Sequence, residues 1–192
     1  MSYFPLMIQL EHVPVLLVGG GRTARRKAAI LREFGAALDV VAPAIDSEIR
    51  ALEAELHQRA FVPDDLNRQP WRLVVAATDE RAVNRAISED CKRRGIPVNV
   101  VDDPELCTFI FPAIIKQQDV VCAVSSGGHS PLVTQWVKRR LQQVLPKDLG
   151  IINEAMGRYR KTVQKEETDP AKRKERLKKK LMELLKEVTT GV

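Results

Sequence analysis

The chain has 192 residues, of which 44% are hydrophobic and 29% are charged, and its net charge is +6. This composition is typical of a soluble globular protein with one medium domain and an appendage, or with two small domains. No apolar run is long enough to cross a bilayer, and the start "MSYFPLMIQL" lacks the features of a signal peptide. We therefore expect a cytoplasmic protein without a membrane partner. The three cysteines are widely spaced, which argues against a disulfide framework or a structural zinc site.

The first hundred residues alternate predicted strands and helices. "HVPVLLVGGG" indicates a buried strand, "RTARRKAAILREFG" a helix and "AALDVVAP" a second strand. "DSEIRALEAELHQ" has helical periodicity, and "RAFV" is then a short third strand. "WRLVVAATD" is a fourth strand, "ERAVNRAISEDCKRRG" a helix and "IPVNVVDD" a fifth strand. This alternation predicts an α/β fold with a doubly wound parallel sheet.

The pattern changes after Asp103. "CTFIFPAII" and "DVVCAVSS" are two strand-like runs joined by "KQQ", and they do not continue the strand–helix alternation. A helix follows from Pro131 to about Leu145, where "PKD" ends it. The remaining residues have helical character, with an interruption near "EETDP".

A glycine motif connects the first strand to the first helix. Gly19-x-Gly21-x-x-Ala24 fits the pattern G-x-G-x-x-G/A of Rossmann-type dinucleotide sites. Gly19 permits the tight turn, Gly21 lets the backbone approach a pyrophosphate, and Ala24 keeps the helix close to the strand. The helix N-terminus adds partial positive charge. The motif predicts dinucleotide binding, and a purely structural turn is the alternative.

The motif alone does not distinguish NAD from NADP. The second strand lacks the usual acidic residue for the ribose at its end, and no arginine for a 2′-phosphate follows it, since the next residues are Ala42, Pro43 and Ala44. Asp39, within that strand, is the remaining substitute. Thr78 and Asp79 end the fourth strand, where they either face the cofactor or cap the next helix.

A second glycine loop, "VSSGGHSPL", occupies residues 124–132. Ser130 has the character of a helix N-cap, and Pro131 fits the first helical position. Hydroxyl and backbone N–H groups in such a loop are suited to binding an anion.

Four segments, taken together, resemble one known family. They are "VGGGRTARRK", "AATDERAVN", "VNVVDDPELCTFIFPAII" and "AVSSGGHSP". In this order and spacing they closely resemble the precorrin-2 dehydrogenase family, which is also the amino-terminal module of multifunctional siroheme synthases. The likeness extends from about Phe4 to Gly150.

The resemblance implies NAD-dependent oxidation of precorrin-2 to sirohydrochlorin, and in some relatives insertion of Fe²⁺ as a further substrate. It also implies a homodimer and three regions: a Rossmann NAD-binding domain (1–112), a small dimerisation region (113–146) and a helical C-terminal domain (147–192). The cofactor contacts that it implies are Gly19, Gly21, Arg22, Thr23, Ala24, Pro43, Ala44, Thr78 and Asp79.

Two adjacent carboxylates end the fifth strand, Asp102 and Asp103. The functional aspartate of the family corresponds to Asp102, where a catalytic acid or base would face the cofactor crevice. In an extended segment the two side chains point in opposite directions, so we expect only one to face the crevice. The alternative is that both begin a turn with Pro104.

Precorrin-2 carries eight carboxylates, so its binding requires donors away from the nicotinamide. We expect these from the second loop, whose candidate residues are Ser125, Ser126, Gly127, Gly128, His129 and Ser130. A tight turn that only caps the following helix is the alternative. His129 stands where relatives of this family often carry threonine or lysine. It either donates a hydrogen bond to a substrate carboxylate, binds a metal ion or is an ordinary surface residue. We assign no metal site.

The basic character of the chain belongs to its tail, where "KRKERLKKK" carries seven basic residues. The run has no aromatic residue for base stacking, so we expect no nucleic-acid partner but a solvated helix face. A non-catalytic NAD- or tetrapyrrole-binding sensor or carrier on the same fold is the rival function.

Overall fold

The computed structural model describes residues 3–190, with side chains described as far as Glu187. Residues 1, 2, 191 and 192, which the predicted domains include, lie outside this range. The chain divides between Phe111 and Pro112 into two compact units.

The first unit contains five strands, three α-helices and two short 3₁₀ helices. The strands are β1 (Pro14–Val18), β2 (Ala37–Val41), β3 (Ala54–His57), β4 (Leu73–Ala76) and β5 (Val98–Val100). The α-helices are α1 (Arg22–Glu33), α2 (Ser47–Arg50) and α3 (Arg81–Arg94), and the 3₁₀ helices are Pro63–Asn67 and Pro104–Leu106.

The five strands form one parallel sheet in the order β3-β2-β1-β4-β5. The chain therefore crosses from one edge of the sheet to its other half after β3, so the strand order reverses between β1 and β4. The carboxyl ends of these two strands form the switch point at which such sheets bind ligands. The predicted α/β class with a doubly wound parallel sheet is confirmed.

Side-chain alternation gives the sheet two apolar faces. Val15 and Leu17 of β1 pack against the buried face of α1, whereas Leu16 and Val18 lie in the core on the α3 side. All four side chains are essentially inaccessible to solvent. Strands that are apolar on both faces are expected where helices cover both sides of a parallel sheet.

Two predicted elements are wrong. The helix expected over "DSEIRALEAELHQ" ends after one turn as α2, and the chain then forms β3. In the described part of the chain, "RAFV" is not a strand. Strand β3 pairs with β2, and its Ala54 and Leu56 pack against the core on the α1 side. The backbone hydrogen bonds and the apolar contacts with the sheet outweigh the local helical preference.

A buried carboxylate anchors the 3₁₀ helix Pro63–Asn67. The side chain of Asp65 accepts hydrogen bonds from the Arg59 guanidinium, at 2.8 Å from Nη1, and from the Val62 N–H at 2.9 Å. The indole of Trp71 donates to the Asp65 carbonyl at 2.9 Å. Burial alone would raise the pKa of Asp65, but the bonds from Arg59 and Val62 outweigh it and hold that pKa below its ordinary value.

A stability difference on acidification follows from this pKa. A carboxyl group with a depressed folded pKa stabilises the fold above its unfolded pKa, and the contribution is lost as the pH falls through the folded pKa. We expect the free energy of unfolding to fall more from about pH 5 to about pH 2.5 in the original protein than in Asp65→Asn. Urea denaturation at each pH measures this, with the exposed neighbour Asp64→Asn as control. Equal losses for Asp65→Asn and the original protein would contradict it.

The second unit begins with an antiparallel hairpin and continues with three helices. Its elements are β6 (Ala113–Gln117), β7 (Val120–Val124), α4 (Pro131–Val144), α5 (Leu149–Glu166) and α6 (Pro170–Thr190). Strand β6 begins later than the run "CTFIFPAII" predicts, because Phe109 and Phe111 pack against the core of the first unit instead. Between residues 3 and 190, no helix has an apolar stretch of the length that a membrane crossing needs.

Candidate functional site

The loop between β1 and α1 is packed so closely that two of its glycines cannot carry a side chain. Gly19 has φ +122°, and a Cβ there would lie 2.3 Å from the carbonyl oxygen of Ala77. A Cβ on Gly20 would lie 2.0 Å from the carbonyl oxygen of Ala44. The loop is thus held between the end of β4 and the segment that follows β2. The sequence motif identifies Gly19 but not Gly20.

Gly21 has a different environment. Apart from Gly21 and its own neighbours in the chain, no described atom lies within 4 Å of the position that a Cβ on Gly21 would take. Gly21 is also the N-cap of α1, whose first turn carries no acidic residue. The N–H groups of Arg22, Thr23 and Ala24 have no acceptor one turn earlier, as at every helix start. This combination of open space, free donors and helix dipole suits a phosphate group.

The other predicted cofactor residues lie around this loop. Arg22 is exposed, Thr23 is half-buried, and Ala24 is buried against the sheet, as a close helix–strand contact requires. Pro43 and Ala44 are exposed just beyond the end of β2. The predicted cofactor residues after β2 and at the start of α1 therefore lie close to the glycine loop.

Asp39 is not available as a substitute ribose ligand. Its side chain is buried within β2, where the Gln69 amide donates to it at 3.3 Å and His57 lies 3.4 Å away. Burial, followed by the charge of Glu55, raises the pKa of Asp39 above its ordinary value. The end of β2 is therefore without an acidic residue, as the sequence indicates.

Thr78 fixes the turn between β4 and α3. Its hydroxyl donates to the Asn84 side chain at 2.7 Å and accepts from the Glu80 N–H at 3.3 Å. The Asn84 amide in turn donates to the Thr78 carbonyl at 2.8 Å. These bonds shape the turn but do not make Thr78 the cap of α3, because the N-cap residue of that helix is Glu80. Asp79 is exposed beside Thr78. Sequence reasoning missed Asn84, whose partner lies six residues away.

The two aspartates after β5 have different environments. Asp103 forms an ion pair with Arg81, with 3.1 Å between the Arg81 Nε and a carboxylate oxygen. Asp102 is exposed and has φ +59°, a left-handed conformation that aspartate tolerates better than most residues. The segment is thus a turn, and the expectation of an extended segment with opposed side chains is wrong. The turn leaves the Asp102 carboxylate outside the Arg81 ion pair.

Lys27 is a candidate that the sequence analysis missed. It lies on α1, and its Nζ is 3.9 Å from the centre of the Phe111 ring. Burial lowers the pKa of Lys27, and negative charge on Cys107 or Asp102 opposes that change. Lys27 follows the buried Ala24 by three residues and so lies on the same face of α1. A lysine on the buried face of a helix is the sequence signal that could have identified it.

Cys107 is buried in the neighbourhood of Lys27, and it is not a nucleophile. Its sulfur accepts a hydrogen bond from the Val100 N–H at 3.1 Å. Burial raises its pKa, so the thiol stays protonated near neutral pH. Cys107 is thus a packing residue in the core on the α3 side.

The serines of the second loop bond mainly to the loop itself. The Ser125 hydroxyl accepts from the Gly127 N–H at 3.1 Å, and the Ser126 hydroxyl donates to the Ser130 carbonyl at 2.9 Å. Ser130 caps α4 by accepting from the Val133 N–H at 3.3 Å.

Gly127 and Gly128 both have positive φ, as the tight turn requires. Gly128 and His129 are exposed at the tip of the loop. The loop belongs to the second unit, whereas the glycine motif and Asp102 belong to the first.

Comparison with a family of known proteins identifies the first unit. Residues 6–113, more than half of the chain, match the family model described as "Putative NAD(P)-binding". The chain belongs to this NAD(P)-binding family. NAD(P) carries the phosphate groups that the open space and the N–H groups at Gly21 are suited to bind.

Curated relatives extend the similarity beyond this domain. The chain is 39% identical over 176 residues to a siroheme synthase of Methylococcus capsulatus and 40% identical over 178 residues to one of Photorhabdus laumondii. Each alignment covers 91% of this chain but 37% of the relative, so the chain spans little more than a third of these proteins.

A solved structure described as "SirC, precorrin-2 dehydrogenase" has the same fold. Its TM-score is 0.74 at 23% identity, and the match covers 97% of this chain and 99% of that one. The relatives confirm the resemblance that the four sequence segments indicate, and the solved structure confirms the fold.

Proposed function

We propose that the protein oxidises precorrin-2 to sirohydrochlorin with NAD⁺, in the biosynthesis of siroheme. One observation carries the proposal: an exposed carboxylate, Asp102, stands beyond the carboxyl end of β5 in an NAD(P)-binding domain, while its neighbour Asp103 is held by Arg81. The names of the siroheme synthase relatives and of the structural neighbour support the choice of substrate.

The cofactor is assigned to the glycine loop and its surroundings. The N–H groups at the start of α1 bind the pyrophosphate, and Thr78 and Asp79 shape the crevice at the end of β4. The bound nicotinamide supplies the hydride acceptor. We propose NAD⁺ rather than NADP⁺, because Ala42, Pro43 and Ala44 offer no cation for a 2′-phosphate. Titration with both cofactors tests this choice.

Asp102 has the central chemical role. Oxidation of precorrin-2 removes a hydride and a proton, and a carboxylate at the crevice can take that proton or orient the macrocycle. Lys27 contributes a positive charge that attracts the Asp102 carboxylate. The exposed Gly128 and His129 of the second loop donate to substrate carboxylates, and the serines hold that loop in shape.

Lys27→Met separates function from stability. Burial disfavours the charged amine in the folded state, so its replacement by an apolar chain of similar length leaves the melting temperature equal or higher. We expect turnover to fall about tenfold, because the positive charge that attracts the Asp102 carboxylate is lost. The neighbouring exposed Arg26→Met is the matched control and keeps normal turnover. Full activity of Lys27→Met, or its unfolding, would contradict this role.

The remaining parts of the proposal concern assembly and location. We propose a homodimer through residues 113–146, because Leu132, Val133 and Trp136 of α4 are large apolar side chains that are exposed. Light scattering tests the dimer.

Fe²⁺ is proposed as a second substrate. This is tested by adding Fe²⁺ anaerobically to the product of the oxidation. The proposed location of the protein is the cytoplasm.

The function is tested by anaerobic incubation with precorrin-2 and NAD⁺, which must give NADH and the spectrum of sirohydrochlorin. A sensor or carrier on the same fold would bind both ligands without turnover. Asp102 discriminates the two, because an enzyme requires its carboxylate whereas a binding protein does not.

A further inference from the structure

Three side chains outside the proposed reaction site come together on strands β2 and β3. Asp39 of β2 is in register with Glu55 of β3, and His57 lies two residues along the same strand. They therefore share one face of the sheet. The Nε2 atom of His57 is 3.4 Å from an Asp39 oxygen and 3.2 Å from a Glu55 oxygen. One potential ligand atom from each of the three lies within 4.8 Å of the others.

The two separations that involve His57 fit a tetrahedral metal ion. With bonds of about 2.0–2.1 Å, the ligands of a tetrahedral ion lie about 3.3 Å apart. The distances from His57 Nε2 to the two carboxylates bracket this value. One imidazole nitrogen with two carboxylate oxygens is a donor set that Zn²⁺ accepts.

The surroundings of Asp39 have two further features of a metal site. Asp39 is only 4% exposed, and a buried carboxylate requires compensating positive charge. The Gln69 amide donates to both of its oxygens, at 3.3 and 3.4 Å, which is the position of an outer group that orients a metal ligand.

The guanidinium of Arg68 supplies positive charge beside Asp39 and Glu55. Its Nη2 lies 3.5 Å from the Asp39 oxygen and 3.2 Å from the Glu55 oxygen that also face His57. A metal ion and the guanidinium would thus compete for the same two oxygens. Arg68 is partly exposed, and its Nη1 is 3.8 Å from Asp65, so it has a second partner if it is displaced.

We propose that Asp39, Glu55 and His57 bind a divalent metal ion of the zinc class, which displaces Arg68 from the two carboxylates. The ion joins the short edge strand β3 to β2. The site is separate from Asp102, because β3 and β5 are at opposite edges of the sheet, about 19 Å apart at about 4.8 Å per strand. Its role is therefore independent of precorrin-2 oxidation.

Calorimetric titration of the chelator-treated full chain with Zn²⁺ tests the site. We expect one ion per chain and a rise in melting temperature when it binds. His57→Ala weakens binding at least about 100-fold, since it removes a direct ligand. The chain has three histidines, so His12→Asn and His129→Asn are matched controls and leave the affinity unchanged. Absence of binding, or an equal loss with His129→Asn, would overturn the proposal.

A second variant changes the affinity in the opposite direction. Arg68→Gln removes the competing cation, so Zn²⁺ binding becomes about fivefold tighter, the equivalent of one partly exposed ion pair. Glu55→Gln weakens binding and, because Glu55 is exposed, keeps the test valid if His57→Ala does not fold. Weaker Zn²⁺ binding in Arg68→Gln would overturn the competition that the geometry implies.

Discussion

We expect Asp102→Asn to lower kcat for sirohydrochlorin formation at least about 100-fold, the usual contribution of general acid–base catalysis. The Kd for NAD⁺ stays unchanged, because Asp102 follows β5 and is not part of the glycine loop. Asparagine tolerates the left-handed backbone at this position, so the turn is retained. Steady-state kinetics and NAD⁺ titration of the same preparation measure the two quantities.

Asp103→Asn is the matched control for this prediction. It removes a charge from the adjacent residue and weakens the ion pair with Arg81, whose side chain is largely exposed. Since exposed ion pairs contribute little, we expect kcat to change by no more than about threefold. Normal turnover in Asp102→Asn, or a larger loss in Asp103→Asn, would show that the proton is handled elsewhere.

The glycine loop gives the second large prediction, in which two adjacent glycines have opposite effects. Gly20→Ala places a Cβ 2.0 Å from the Ala44 carbonyl oxygen and 2.9 Å from the Ile45 Cα. Both are backbone atoms that cannot move without shifting the chain, so we expect a loss of stability of about 3 kcal/mol. Urea denaturation without cofactor measures it.

Gly21→Ala has the complementary result. Its Cβ meets no described atom within 4 Å apart from its own chain neighbours, so the unfolding free energy is nearly unchanged. The methyl group instead enters the space assigned to the pyrophosphate, and NAD⁺ binding weakens at least about tenfold, or about 1.4 kcal/mol. If both variants lost stability equally, or if Gly21→Ala bound NAD⁺ normally, the location of the phosphate site would be wrong.

Much of the sheet could be predicted because its signals are local. The apolar run of β1, the glycines that follow it and the helical periodicity of α1 are contiguous in the sequence. Strand β3 was missed for the opposite reason. Its four residues have helical neighbours, and only pairing with β2, many residues away, makes them extended.

The candidate site could likewise be predicted only where its residues belong to a local motif. The motif places Gly19 and Gly21, but the need for glycine at position 20 comes from the Ala44 carbonyl, which tertiary folding brings near. The distinction between Asp102 and Asp103 depends on Arg81, about twenty residues earlier. The contact of Lys27 with Phe111 likewise joins distant segments. Periodicity and motif spacing carry no information on such contacts.

The most direct test of the proposed function is the stoichiometry of a single anaerobic reaction. The protein is mixed with precorrin-2 and excess NAD⁺, and NADH and sirohydrochlorin are followed together by their absorbance. Each substrate molecule loses one hydride and one proton, so one NADH must appear for each sirohydrochlorin, and at a rate that Asp102→Asn lowers. Folded protein that binds NAD⁺ but forms no NADH from precorrin-2 would contradict the proposal.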